Sequence, residues 1–350
     1  MIPVFDGHND ILLRLYLDPA RREEIFLHGE GRGHLDLPRM KASGFAGGFF
    51  AIYLPSPMAH DAPDFQALMR NPPFDLPLPD LIPFGEAIRP AVTMAGHLLW
   101  MERASGGDLK ICRTAGEVRA CLDAGTVAAI MHMEGAEAID EGLDALHLFH
   151  AMGLRSIGPV WSRPTIFGHG VPFAYPSGPD TGPGLTEAGK RLVAECNRLG
   201  IMLDLSHMNE AGFNDVARLS DAPLVATHSN ANAICASSRN LTDRQLAMIR
   251  DSGGMVGLNF SVSFLRPDGR QLPETGWDPV LRQMDHLLEQ LGEDHLGFGS
   301  DFDGCTTPDV IGGVTGLPKL LEALSEHGYD RPLLTKLAHS NWLDLLDRTL

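Results

Sequence analysis

Val4-Phe5-Asp6-Gly7-His8-Asn9-Asp10, close to the start of the chain, decides how the rest of it is read. Valine and phenylalanine favour an extended segment that breaks at Gly7. In extended backbone, residues two apart leave the chain on the same side, so His8 and Asp10 form a pair aimed one way. Neutral imidazole and carboxylate are ligands for a borderline divalent ion such as zinc, and a strand end holds them more rigidly than a loop does. Taken alone, the stretch has a plainer reading, in which Asp10 caps a helix running through Ile11, Leu12 and Leu13 and His8 is merely polar. A His-x-Asp pair gains meaning only when further ligands arrive beside it.

Further along, short β-rich runs alternate with helical patterns, as in a parallel sheet with crossover helices. Eight such runs are found: Val4 to Gly7, Gly48 to Tyr53, Val127 to Met133, Leu154 to Val160, Ile201 to Leu205, Leu224 to Thr227, Met255 to Phe260 and Leu296 to Gly299. Thr114 with Glu117 and Thr242 with Gln245 read as capping boxes, and Gly200 as the stop of a helix that begins near Glu187. A doubly wound open sheet alternates too, but no Gly-x-Gly-x-x-Gly turn follows the first strand and there is no Walker loop. The fold class expected is therefore α/β, a closed (β/α)8 TIM barrel forming a single domain over residues 1–350. Two stretches interrupt the alternation: Pro55 to Pro90, leading into an apolar helix around Ala91 to Arg103, and Ser162 to Gly184. Both read as insertions after the second and fourth strands, on the face where barrels carry their active sites.

Composition narrows the partners. The chain is 44% hydrophobic and 21% charged, with a formal net charge of -17 and a pI near 5.2. An ordinary globular protein with no Lys/Arg stripe would be repelled by nucleic-acid phosphates and by an anionic membrane surface. No apolar run is long enough to span a bilayer and the N-terminus has no basic and apolar leader pattern, so a cytoplasmic location is expected. The five cysteines, Cys112, Cys121, Cys196, Cys235 and Cys305, are scattered without a Cys-x-x-Cys pair and read as free buried thiols.

In a closed barrel all C-terminal strand ends open on one mouth. That rule gathers His8 and Asp10 from the first strand, Glu134 from the third, Trp161 from the fourth, His207 from the fifth, His228 from the sixth, Asn259 from the seventh and Asp301 from the eighth. Each has an innocent reading as a turn or cap residue. Together, three histidines and three carboxylates in one confined site would leave unpaired charge unless cations neutralised it.

The set His8-Asn9-Asp10, Glu134-Gly135, Asp204-Leu205-Ser206-His207, Thr227-His228-Ser229, Ser238-Arg239-Asn240 and Gly299-Ser300-Asp301-Phe302-Asp303-Gly304 resembles the renal (membrane) dipeptidase family of zinc metallopeptidases, over nearly the whole chain. The resemblance implies a metal-dependent hydrolase with two zinc ions per chain, His8, Asp10 and Glu134 holding one, and Glu134, His207 and His228 the other. Glu134 would bridge. It further implies a metal-bridging hydroxide as nucleophile, Asp301 as the proton shuttle and Arg239 as the grip on the substrate's terminal carboxylate. A surface ion pair with Asp243 is the plainer reading of Arg239. The substrate implied is a small dipeptide, including those with a C-terminal D-amino acid; homodimerisation stays open. One position departs from the family: Trp161 stands where a histidine contacts the scissile carbonyl, leaving Trp161 and the loop residue His169 as candidates for that side of the substrate site. Alternatives are another amide or lactam hydrolase on the same dinuclear barrel, and a non-catalytic zinc protein.

Overall fold

A computed structural model describes residues 1–57 and 64–350, so that 58–63, within the first proline-rich insertion, lie outside the described residues. Eight parallel strands run around a barrel: β1 (Val4–Asn9), β2 (Phe45–Tyr53), β3 (Val127–Glu134), β4 (Leu154–Gly158), β5 (Met202–Leu203), β6 (Val225–Ala226), β7 (Met255–Leu258) and β8 (Leu296–Phe298). Each pairs with its neighbours in sequence order. The ring closes on one side through Asp6 of β1 against Phe298 of β8, and on the other through a single bridge from Asp204 to Val225. At that last seam the Leu205 N–H donates to the Val225 carbonyl at 2.8 Å. The outer helices show the expected stops and starts. Thr242 and Gln245 form a complete capping box, and Gly200, with φ 66°, ends the helix Glu187–Leu199. Thr114 caps as expected, but the Glu117 carboxylate accepts from the Arg113 N–H.

Several boundaries differ from the sequence reading, for physical reasons. β1 does not break at Gly7; it continues to Asn9, and Gly7 is small because a Cβ there would lie 2.3 Å from the Thr227 carbonyl oxygen and 2.6 Å from Trp342. Trp342, on the C-terminal helix Asn341–Thr349, plugs the floor of the barrel against Phe5 and Phe49 and donates its indole N–H to the Phe298 carbonyl at 3.1 Å. The helix expected from Ala91 begins at Phe84 and runs to Ala104 with Pro90 inside it. A buried stripe including Ala87, Ala91, Met94, Leu98 and Met101 holds it together, so tertiary packing outweighs the backbone bond that proline forgoes. An extra strand, Leu109–Ile111, fills the lower edge of β3 beneath β4.

The two insertions meet each other. Phe74–Asp75 pairs antiparallel with Ala174–Tyr175, and the Leu76 N–H donates to the Phe173 carbonyl at 2.9 Å. They form a small roof over one side of the mouth, with Met69, Leu76 and Phe264 packed beneath it. Among the described residues, no helix is long and apolar enough to cross a membrane, and all five cysteines are free, four of them buried and Cys305 partly so.

Candidate metal centre

The expected site residues converge because each sits at, or just beyond, the C-terminal end of a barrel strand. His8 is the second-last residue of β1 and Glu134 the last of β3, where the ladder fixes their direction. Asp10 could have capped the helix Ile11–Leu17, but its carboxylate makes no capping bond and faces His8 Nε2 at 3.2 Å instead. His207, Asp301 and Asp303 adopt φ of 66°, 58° and 68°, the left-handed region that non-glycine residues rarely enter. Each such residue costs on the order of 1–3 kcal/mol, and the surrounding hydrogen bonds hold it there. The Asp301 N–H donates to the His8 carbonyl at 3.0 Å and the Asp10 N–H to the Phe302 carbonyl at 2.8 Å, stitching the ends of β1 and β8 together. Ser300 completes the seam by donating both its N–H and its hydroxyl to Asp6, each at 2.7 Å.

At the centre, the Glu134 carboxylate divides its two oxygens. Oε2 lies 3.6 Å from His8 Nε2, while Oε1 lies 2.9 Å from His207 Nε2 and 3.3 Å from His228 Nε2. His207 Nε2 and His228 Nε2 are themselves 3.1 Å apart. Two imidazole lone pairs and a carboxylate oxygen pointed at one spot repel unless a proton or a cation sits among them. The histidine tautomers are fixed from behind. Thr227 donates its hydroxyl to Asp204 at 2.6 Å, so at 2.8 Å it accepts from His228 Nδ1, leaving the His228 Nε2 lone pair for the centre. Ser162 Oγ stands 2.8 Å from His207 Nδ1.

Burial sets the charge states of this cluster. Desolvation, followed by the Asp10 and Asp301 charges, pushes the Glu134 carboxyl well above its ordinary range. Desolvation and then Asp303 raise Asp10 to about 8, and desolvation and then Asp10 raise Asp301 to about 6. Burial holds His207 and His228 well below the usual imidazole value, and lowers His132 to about 3. Neutral histidines beside carboxyls that cling to protons form a donor set that a divalent cation would complete by displacing those protons. The residues fit a metal. His8, Asp10 and Asp301 form one candidate group of donors, and His8, Glu134 and His228 another.

The rest of the expected site falls out unevenly. Trp161 lines a cavity of about 250 Å³ beside the cluster, with Asp10, Glu134, His207 and Asp301. Its ring lies 5.1 Å from Tyr53 and 5.6 Å from His207. His169 is not among the residues lining that cavity; Gly170 bridges to Met208, and the His169 carbonyl accepts from the Asn209 N–H at 3.3 Å. Arg239 is buried, donating to Ser229 Oγ at 2.9 Å and the His228 carbonyl at 3.0 Å, behind Phe264. It makes no surface pair with Asp243, which His286 engages at 2.8 Å. Its Nε has no partner, and among the described residues no carboxylate lies within ion-pair distance. Buried Arg163 differs, being neutralised by Glu137 at 2.6 Å. Sequence reasoning gave no role to Tyr53, Phe173 and Phe264, which line the cavity, or to Ser162, Thr227 and Asp204, which stand behind His207 and His228. Tyr53 was findable as the last residue of its strand, and Asp204 and Thr227 as polar neighbours of the two histidines.

Solved structures share this fold across their whole length. A metallopeptidase from Rhodobacter sphaeroides, crystallised with a phosphinate mimic of the dipeptide L-Ala-D-Ala, is 70% identical, with a TM-score of 0.98 over 100% of this chain and 99% of its own. A metallopeptidase named dipeptidase AC is 69% identical, with a TM-score of 0.97 over 99% of both chains. An uncharacterised Klebsiella pneumoniae protein encoded in the pqqA 5′ region is 48% identical over 71% of this chain and 95% of its own. The sequence profile of the membrane dipeptidases (peptidase family M19) matches residues 1–349, and the chain belongs to that family of metallopeptidases.

Proposed function

We propose that the protein hydrolyses dipeptides at a centre of two divalent zinc-type ions bridged by Glu134, with His8 and Asp10 completing one site and His207 and His228 the other. The observation that carries this reading is the division of the Glu134 oxygens, one toward His8 and one toward His207 and His228. No lysine occurs at these strand ends to serve as an alternative bridge. Bound there, such ions lower the pKa of water and polarise a carbonyl oxygen.

The remaining work belongs to side chains. Asp301, held by Asn259 Nδ2 at 3.0 Å and raised to about 6, exchanges a proton near neutral pH. It takes the proton of the attacking water and passes it to the departing amine. Asn259 keeps the carboxylate turned toward the reacting bond. Trp161 and Tyr53 pack against the centre as an apolar wall, so water has fewer places from which to compete. Arg239 supplies the unmatched buried positive charge that favours a free terminal carboxylate in the substrate, an anion the protein itself does not provide. The phosphinate-bound Rhodobacter relative, whose ligand mimics L-Ala-D-Ala, supports including dipeptides with a C-terminal D-residue.

Metal analysis and a substrate panel test the reading together. Two zinc equivalents per chain are expected, with His207→Ala losing one preferentially. Free dipeptides are expected to exceed their C-terminal amides by about a hundredfold in kcat/KM, equivalent to roughly 2.7 kcal/mol, a difference that Arg239→Met largely removes. One zinc at saturation removes the bridge. Equal cleavage of free and amidated dipeptides makes the enzyme a general amide hydrolase.

A further inference from the structure

The three histidines of the centre are not equally supported. His228 has Thr227 at its Nδ1 and His207 has Ser162, each at 2.8 Å. His8 Nδ1 is buried with no hydrogen-bond partner. A histidine that presents Nε2 to a metal carries its proton on Nδ1, and a buried N–H without an acceptor is costly. Beside it lies a second orphan. His132, two residues before Glu134 on β3 and therefore also facing the barrel interior, is fully buried. Its Nδ1 meets Ser156 Oγ at 2.9 Å, while its Nε2 has no hydrogen-bond partner and stands 3.5 Å from Asp204 Oδ2.

The two rings meet edge to face, centroids 5.4 Å apart at 79°. One donor atom from each of His8, His132 and Asp204 lies within 4.8 Å of the others. Asp204 is already supplied with donors: Oδ1 accepts the Ser206 and Thr227 N–H groups at 3.0 and 2.9 Å, and Oδ2 the Thr227 hydroxyl at 2.6 Å. If His132 gives its single proton to Ser156, its Nε2 lone pair faces the Asp204 carboxylate with nothing between them. A hydrogen bond from the His8 Nδ1 proton to His132 Nε2, which the structure does not make, would answer both deficits at once.

We propose that His132 is a positioning residue for the metal centre, its Nε2 accepting the Nδ1 proton of His8 above Asp204 and so fixing the tautomer and ring direction that aim His8 Nε2 at the bound ion. The proposal rests on the metal-centre reading above, but its tests read zinc affinity and a proton position, so dipeptide hydrolysis by the unaltered enzyme judges that reading separately. His132 then does for His8, from inside the barrel, what Thr227 and Ser162 do for their histidines from the loops.

Chelator competition on zinc-loaded full-length protein tests it. His132→Phe is expected to release one zinc at about 10- to 100-fold lower chelator strength, the usual scale for losing an outer partner of a ligand, while the other ion is held as before. His132→Gln, whose amide oxygen can accept, should recover most of the loss. Thermal unfolding of each metal-free variant separates this from a structural role, which would lower Tm without changing relative zinc affinity. The wild type provides a second readout independent of folding in the variants. With ¹⁵N-labelled histidine, zinc-loaded protein should show an exchange-protected His8 Nδ1 proton coupled to His132 Nε2. Absence of that proton, or a folded His132→Phe that holds both ions as tightly as wild type, overturns the proposal. A third zinc bound by wild type and lost in His132→Phe also overturns it, making the trio a cation site in its own right.

Discussion

At the scale of single residues, Asp301 shows how one carboxylate is kept apart from its neighbours. It shares the mouth with Asp10 and Glu134, and burial and charged surroundings raise it only to about 6, against about 8 for Asp10. Its left-handed backbone, φ 58°, turns the side chain back over His8, and Asn259 fixes one oxygen. Asp301→Asn preserves that shape and removes the proton. Turnover is therefore expected to fall by about two to four orders of magnitude with both metals retained, as measured by kcat alongside metal content. Loss of an ion in this variant would identify Asp301 as a ligand, a role its place in one donor group with His8 and Asp10 makes a fair test.

Among the elements, the roof formed by the two insertions deserves its own experiment because it joins segments about a hundred residues apart over the cavity. Phe173 is its inward point, stacked on Phe264 at 5.9 Å and meeting Trp161 at 5.6 Å and His207 at 6.3 Å. With Met69 and Leu76, it makes the wall opposite the ligands apolar, which suits apolar or small side chains better than charged ones. Phe173→Ala should raise KM for apolar dipeptides by about tenfold or more, with kcat and zinc content changing far less. Unchanged KM across a panel of side chains would show that the roof does not touch the substrate. The roof also explains why Trp161 is accommodated: its ring is packed between Tyr53 and Phe173 instead of standing free in the mouth.

For the molecule as a whole, the centre couples stability to pH. In metal-free protein, Asp10 is raised from 3.8 to about 8 and Glu134 well above 4.5, so the folded state holds protons that the unfolded chain has shed. Stability from a raised carboxyl is present at low pH and lost as pH climbs through the folded value, at about 1.4 kcal/mol per pH unit for each extra proton. The buried histidines act oppositely: His207 and His228, held neutral below 6.5, make folding more favourable as pH rises toward that value. The Tm of chelator-treated protein should consequently decline from pH 6.5 to 8, while the increment gained on adding zinc grows over the same range. A metal-free protein more stable at pH 8 than at pH 6.5 would contradict the assigned charge states. The sequence by itself determined the barrel, because alternating β-rich and helical runs record which faces are buried, and which polar residues gather at its mouth, because parallel strands of a closed barrel all end on one side. Only the tertiary structure decided what lies between those landmarks. Pro90 sits inside a helix and Gly7 inside a strand because distant packing outweighs local preference. Likewise, the roof, the burial of Arg239 and the meeting of His8 with His132 depend on contacts between residues far apart in the chain, and local patterns do not record those distances.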